Sequence, residues 1–366
     1  MRVLHVLGGL NRGGAETLII NIFRNIDRSK FQFDFVIHTK EEGAYYKEIV
    51  SLGGKVFYCP KYILLNHFAY KRWWKKFFKQ HPEYSIIHGH MRSTAAIYLK
   101  IARRYNRYSI AHSHSTSAGR GLSGLIKKIM QFGIRFNADC FLGCSYDANK
   151  WLFGEKIAND KSRCFILRNG IDLSKFSFNE KVRDKMRQEL KLLDNFVVGT
   201  VGRIETPKNP LFIVSIFSEL LKCNNNSKLL WVGDGTLFDK VKSYAEELHI
   251  YNKIVFMGSK DNVQDYLQAM DVFLFPSLWE GLGMSLIEAQ AVGLPCVCSD
   301  VIPKEADVTD LIQRIQLNDS PSRWASELLK SGDRNRISHK EEIQKCGYDI
   351  KCVVHTLEDI YNKEIN

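Results

Sequence analysis

The feature that most constrains this chain is a rhythm. Short apolar runs that stop at Gly, Pro or Ser alternate with segments whose apolar residues recur every three to four positions. "RVLHVL" (2–7) stops at Gly8-Gly9, and Leu18, Ile19, Ile22, Phe23 and Ile26 then fall on one side of a helical pattern. "QFDFVIHT" (32–39), "KVFYC" (55–59), "SIIHG" (85–89), "YSIAHS" (108–113) and "CFLGC" (140–144) continue the strand series. A turn-rich stretch without either periodicity, "LRNGIDLSKFSF" (167–178), interrupts it. The plan then restarts with "FVVGTVG" (196–202), "KLLWVG" (228–233), "KIVFMG" (253–258), "DVFLFP" (271–276) and "PCVCS" (295–299). Helical patterns such as 209–222 and 236–249 lie between them. Strands alternating with helices at this interval form parallel, doubly wound sheets. The expectation is α/β: two Rossmann-like domains facing each other across a cleft, 1–170 and 171–348, with a terminal helix at about 349–366.

Length agrees with two domains, since 366 residues exceed what one hydrophobic core usually serves. A hydrophobic content of 45% excludes a disordered chain. No apolar run approaches the ~18 residues of a membrane span. The opening "MRVLHVLGGLNRGG" is too briefly apolar for a secretory leader. Nine cysteines occur without metal-type C-x-x-C spacing beside histidines, which suits reduced thiols and a cytoplasmic location. The formal charge of +12 attracts anions: nucleic acid, acidic membrane or phosphorylated ligands. No recognition helix, zinc finger or RNA-binding signature is visible, so a nucleic-acid partner is not expected. The charge gathers in "YKRWWKKFFKQ" (70–80), "IARRYNRY" (101–108) and "LIKKIMQFGIRF" (125–136). Segment 70–80 suits a peripheral membrane element facing anionic lipid; the plainer reading is an amphipathic helix whose aromatics pack on the sheet.

In open parallel sheets, ligands bind beyond the carboxyl ends of strands. Several chemically capable groups follow strands here. In "GRIETPKN" (202–209), Arg203 and Lys208 suit a diphosphate, the first as a fork and the second as a point charge. In "SLWEGLGMSLIEAQA" (277–291), Glu280 and Glu288 flank a helix start near Gly283, Met284 and Ser285. Helix-start amides favour phosphate. Eight helical residues span roughly 12 Å, the order of the distance from a nucleotide's ribose to an attached sugar ring. Gly13 and Gly14 in "GGLNRGGAE" let backbone approach a ligand, but no dinucleotide fingerprint is present. Two H-x-H pairs, His88/His90 and His112/His114, end strands; a metal is the less favoured reading of them, and no metal site is expected.

In this order, "GGLNRGGAE", "RNGID", "GRIETPKN", "VGDGTL" and "EGLGMSLIEAQAVGLP" resemble the GT-B glycosyltransferases of family four, nearest to those that build bacterial capsular or exopolysaccharide units. The resemblance implies retaining, metal-independent sugar transfer from a nucleotide-sugar donor, with UDP the first choice, to a saccharide or lipid-linked saccharide. It implies that Arg203 and Lys208 contact the diphosphate, Glu288 the ribose and Glu280 the sugar. Gly14, Gly283, Met284 and Ser285 would complete the cradle, and the residues near Met257 would face the base. His114, with His112 as runner-up, would contact the donor sugar, with Asn11 and Glu16 on the acceptor side. It also implies that the terminal helix crosses back to the first domain, and that the enzyme works in the cytoplasm, peripherally at the inner membrane face. The nearest rival is a nucleotide-sugar epimerase of the same fold; a basic nucleic-acid-binding protein is the rival from another class.

Overall fold

Strand pairing decides how the rhythm is used. The computed structural model describes residues 1–114, 128–332 and 336–363. Its strands form two sheets in two units, one of Met1–Gly170 with Gly347–Asn366, the other of Ile171–Cys346. The first contains β1 (Arg2–Leu7), β2 (Gln32–Ile37), β3 (Val56–Tyr58), β4 (Tyr84–Gly89), β5 (Tyr108–Ser113), β6 (Cys140–Gly143) and β7 (Cys164–Ile166). Their order is β3-β2-β1-β4-β5-β6-β7. The second contains β8 (Phe196–Val201), β9 (Ser227–Val232), β10 (Ile254–Phe256), β11 (Val272–Phe275), β12 (Cys296–Ser299) and β13 (Ile312–Ile315), ordered β10-β9-β8-β11-β12-β13. Neighbouring strands run parallel throughout. Both sheets thus have the doubly wound order that the alternation implied.

That order fixes where each unit can bind. Strand order reverses between β1 and β4 and again between β8 and β11. The loops leaving such neighbours diverge to opposite faces and leave a crevice at the carboxyl ends. Helices cover both faces, so strand interiors read as continuous apolar runs; β1 and β2 are each buried along their last five residues.

The helix Ile350–Asn362 belongs to the first unit. Its Val353, Val354, Leu357 and Tyr361 share a core with Leu18, Ile19 and Ile22. A Cβ on Gly170 would stand 2.8 Å from the Ile350 Cα, so a glycine is needed where the chain leaves the first unit.

Segment 70–80 is the far part of the helix His67–Gln80. Tyr70, Trp74, Phe77 and Phe78 are buried in the sheet-side core, as in the plainer reading. Arg72, Lys75, Lys76 and Lys79 are exposed. The exposed apolar groups lie just before it instead: Leu65 is 96% and Phe68 79% exposed, beside Ile63 and Leu64. Of segment 125–136, residues 125–127 lie outside the described residues. All nine cysteines are free thiols. Among the described residues no helix is long and apolar enough to cross a membrane.

Candidate functional site

In the second unit the loops leaving β8 and β11 carry the charged groups. β8 ends at Val201, and the chain turns through Gly202 and Arg203 to the short turn Thr206–Lys208. A Cβ on Gly202 would lie 2.9 Å from Cε of Lys208, so glycine is what lets this lysine fold back over the strand end. Leu278 N donates to Pro207 O at 2.8 Å, tying the loop after β11 to the loop after β8. Lys208 Nζ then lies 2.5 Å from Glu280 Oε1 and 4.5 Å from the Phe275 ring centroid. Arg203 is exposed at the same edge, and its charge helps hold the Glu205 carboxyl below its usual range, after the hydrogen bonds from Thr236.

Two more loops brace these. Ile204 N donates to Asp234 O at 3.0 Å, and Thr236 donates to Glu205 from both its amide and its hydroxyl, each at 3.0 Å. A Cβ on Gly235 would stand 2.4 Å from Ile204 O, so the glycines of "VGDGT" serve loop-to-loop packing. Gly233 N donates to Gly258 O at 2.9 Å, which brings the turn holding Met257 to the same edge.

The helix Met284–Ala291 starts at Gly283, whose φ of +91° favours glycine, and no side chain caps it. Gly283 O accepts from Leu286 N at 2.9 Å. Met284 and Ser285 supply its first amides, which are available to an anion. Glu288, one turn further on, is partly buried. Burial pushes its carboxyl up to about 7, while the Lys208 charge pulls it back down. One ammonium therefore sits in the field of two carboxylates at the switch point. Arg203, Lys208, Glu280, Gly283, Met284, Ser285, Glu288 and Met257 all gather at this edge of one sheet. An anion arriving here would compete with Glu280 for Lys208.

In the first unit the loop after β1 is committed to packing. Asn11 Oδ1 accepts from Ala44 N at 3.3 Å, and a Cβ on Gly43 would stand 2.3 Å from the Leu10 carbonyl carbon. Asn11 thus fastens a neighbouring segment. Gly13 precedes the helix Gly14–Asn25, and the Glu16 carboxylate folds over it, so a Cβ there would lie 2.3 Å from Oε2. Burial pushes the Glu16 carboxyl up. A Cβ on Gly14 would meet nothing within 4 Å, so packing does not require glycine there; the space before the helix start is open.

The histidines form a column. His5 on β1 pairs in register with His88 on β4, and alternate residues of a strand share a face. His5, His88, His90, His112 and His114 therefore step across three adjacent strands on one face. His5 Nδ1 lies 3.0 Å from His90 Nε2, and His90 Nδ1 lies 2.9 Å from His114 Nε2. Beside them, His88 Nε2 lies 3.1 Å from His112 Nδ1 and His88 Nδ1 lies 2.7 Å from the Tyr361 hydroxyl. Burial lowers all five rings far below the usual imidazole range, His5 and His114 to about 3, so all are neutral. His112 is 1% exposed and turned into the core, whereas His114 is partly exposed at the strand end. Sequence reading missed His5 and Tyr361; the one signal was a lone polar letter inside the apolar run "RVLHVL".

Two triads, His5/His88/His90 and His90/His112/His114, each bring one nitrogen per ring within 4.8 Å, a spacing that suits a metal. The ring pairs within these triads lie between 10° and 45° from parallel. The close nitrogens, at 3.0 and 2.9 Å, have hydrogen-bond separations, which suits a hydrogen-bonded row as well.

Comparison with known proteins agrees with this arrangement. Residues 12–175 match the family model described as Glycosyltransferase Family 4, and residues 182–310 match Glycosyl transferases group 1. EpsF of Bacillus subtilis (strain 168), provisionally assigned as a glycosyltransferase, is 33% identical over 99% of this chain and 96% of its own. CapH of Staphylococcus aureus, a capsular polysaccharide biosynthesis glycosyltransferase, is 25% identical over 99% of this chain and 98% of its own. An Escherichia coli galactosyltransferase named for UDP-Gal and a GlcNAc-diphosphoundecaprenol acceptor is 29% identical over 60% of this chain and 58% of its own. Among solved structures, HepE of Anabaena in complex with UDP superposes with a TM-score of 0.80 at 15% identity, covering 99% of this chain and 100% of that one. The fold is that of the GT-B glycosyltransferases.

Proposed function

This chain belongs to the family 4 glycosyltransferases, and from that premise we propose that it transfers a sugar from a UDP-sugar, with retention and without a metal ion, to a saccharide or lipid-linked saccharide in the synthesis of a bacterial surface polysaccharide. The observation that carries the proposal is the contact between Lys208 and Glu280 at the second unit's switch point, with Glu288 in the field of the same ammonium. Lys208 and Arg203 take the diphosphate, aided by the amides at Gly283, Met284 and Ser285. Glu288 accepts hydrogen bonds from the ribose. Glu280, released as Lys208 turns to phosphate, accepts from the donor sugar. The turn at Met257 lies beside the base. These cations and amides supply the charge that the leaving diphosphate requires, which is why no metal is invoked. In the first unit His114 offers an imidazole to a sugar hydroxyl, and Gly14 and Glu16 border the open space at a helix start. Transfer proceeds on one face of the sugar, with the leaving phosphate taking the acceptor's proton.

The relatives support the finer terms. HepE binds UDP, the Escherichia coli enzyme is named for UDP-Gal and a diphosphoundecaprenol-linked acceptor, and CapH is named for capsule synthesis. Exposed Leu64, Leu65 and Phe68, followed by exposed Arg72, Lys75, Lys76 and Lys79, suit peripheral work on anionic lipid at the cytoplasmic face.

The test is Glu280→Gln. It frees Lys208, so UDP affinity holds or rises, while transfer falls at least about 100-fold because the sugar loses its carboxylate partner. Transfer at the wild-type rate contradicts the assignment. Release of UDP only when acceptor is added separates transfer from epimerisation.

A further inference from the structure

We propose that His90, backed by His5, is a positioning residue that holds His114 in the tautomer whose N–H points away from the column, so that His114 acts on its ligand as a hydrogen-bond donor. The inference rests on the reading of His114 given above and extends it to the chemistry of the contact. A neutral imidazole carries one N–H and one lone pair. In a row of such rings the direction of one hydrogen bond fixes all the others. If the row points outward, His5 Nδ1–H donates to His90 Nε2 and His90 Nδ1–H donates to His114 Nε2. His114 is then left with N–H at Nδ1. If it points inward, His114 donates at Nε2, His90 donates to His5, and His5 carries N–H at Nε2.

The inner end decides between them. His5 Nε2 is buried without a partner among the described residues, and its ring lies 4.1 Å from the Phe33 centroid and 5.6 Å from that of Phe35. The outward row leaves only a lone pair in that apolar pocket; the inward row strands an N–H there, the rarer kind of orphan in proteins. At the other end His114 Nδ1 is also buried and unpartnered among the described residues, but it belongs to a partly exposed residue at the strand end, so an N–H there can meet an arriving acceptor, whereas one on the fully buried His5 cannot. An N–H there suits an oxygen acceptor, such as a sugar hydroxyl or a phosphate oxygen. A base is not what the column builds.

The experiment reads tautomers directly, by long-range proton–nitrogen NMR on the full chain labelled with nitrogen-15. The expected result is N–H at Nδ1 for His5, His90 and His114. N–H at Nε2 of His114 overturns the proposal with no variant needed. Kinetics supply a second readout. His90→Phe fills the same space without a donor, and kcat should fall on the order of 10- to 100-fold with the donor KM within about twofold. His90→Gln, which keeps a donor, should recover at least about fivefold over His90→Phe. Equal rates in both variants and wild type, or equal losses in both, contradict positioning. If His114→Ala itself leaves transfer intact, the reading of His114 fails while the NMR result stands; if His114→Ala is inactive and His90→Phe is not, the column fails. Visible ligand-field bands on titration with cobalt(II), lost in His90→Phe, would replace the hydrogen-bonded row by a metal ligand set and overturn the proposal.

Discussion

Glu288 is an acid held where it is costly to ionise. Its carboxyl rises from an ordinary 4.5 to about 7, chiefly through burial. A rise of that size corresponds to about 3 kcal/mol. The folded state holds the proton more tightly than the unfolded state. The penalty is therefore absent below about pH 4.5, grows as pH rises and is complete above about pH 7. Glu288→Gln should stabilise the ligand-free protein at pH 8 by up to about 3 kcal/mol, with the gap closing below pH 5, as measured by denaturant melts at both pH values. Ribose hydroxyls that donate to the ionised carboxylate would favour loss of its proton. UDP binding near pH 7 should thus release a fraction of a proton, visible as a binding heat that changes with the ionisation enthalpy of the buffer. If Lys208 and Arg203 provide the positive charge at the diphosphate, as proposed, excess EDTA should leave the transfer rate unchanged within about twofold; a rate lost with EDTA and restored by magnesium contradicts this.

At the scale of elements, the site is a set of braced loops. Gly283 has φ +91°, and a Cβ there would also stand 3.2 Å from the Phe275 ring, on which Lys208 lies. Gly283→Ala should cost roughly 1–2 kcal/mol of stability and weaken UDP binding together, as thermal melts and titration would show. Much of this was legible in the sequence. The alternation of apolar runs and helical patterns gives parallel sheets, and Arg203, Lys208, Glu280 and Glu288 each stand just beyond a strand or on the next helix. Three things were not legible. β7 and β13, "CFI" and "IQRI", are edge strands too short to show a period. The direct contact of Lys208 with Glu280 spans 72 positions and depends on how strand order reverses. The glycines of "VGDGT" stood in the sequence only as part of the family resemblance, and that their small size is needed against the neighbouring backbone shows only in the fold. For segment 70–80 the sequence left two readings open, because composition cannot say which face of an amphipathic helix meets the sheet.

Over the whole molecule, the charge of +12 is spread unevenly, and a run of exposed apolar groups precedes a helix bearing exposed cations. In the membrane reading proposed above, charge would draw the protein to an anionic surface and the apolar side chains would hold it there. Leu65→Asp with Phe68→Asp should weaken co-sedimentation with phosphatidylglycerol vesicles at all salt concentrations. Glu at positions 75, 76 and 79 should weaken it mainly at low salt. Unchanged sedimentation in both would remove the membrane from the proposal and leave the donor site intact. That donor site is best tested by calorimetric titration of UDP into the wild type, Lys208→Ala and Glu288→Ala. Loss of a charge-assisted contact should raise Kd about 10- to 100-fold in each variant; equal affinity in all three proteins would mean that the switch-point cluster does not hold the nucleotide.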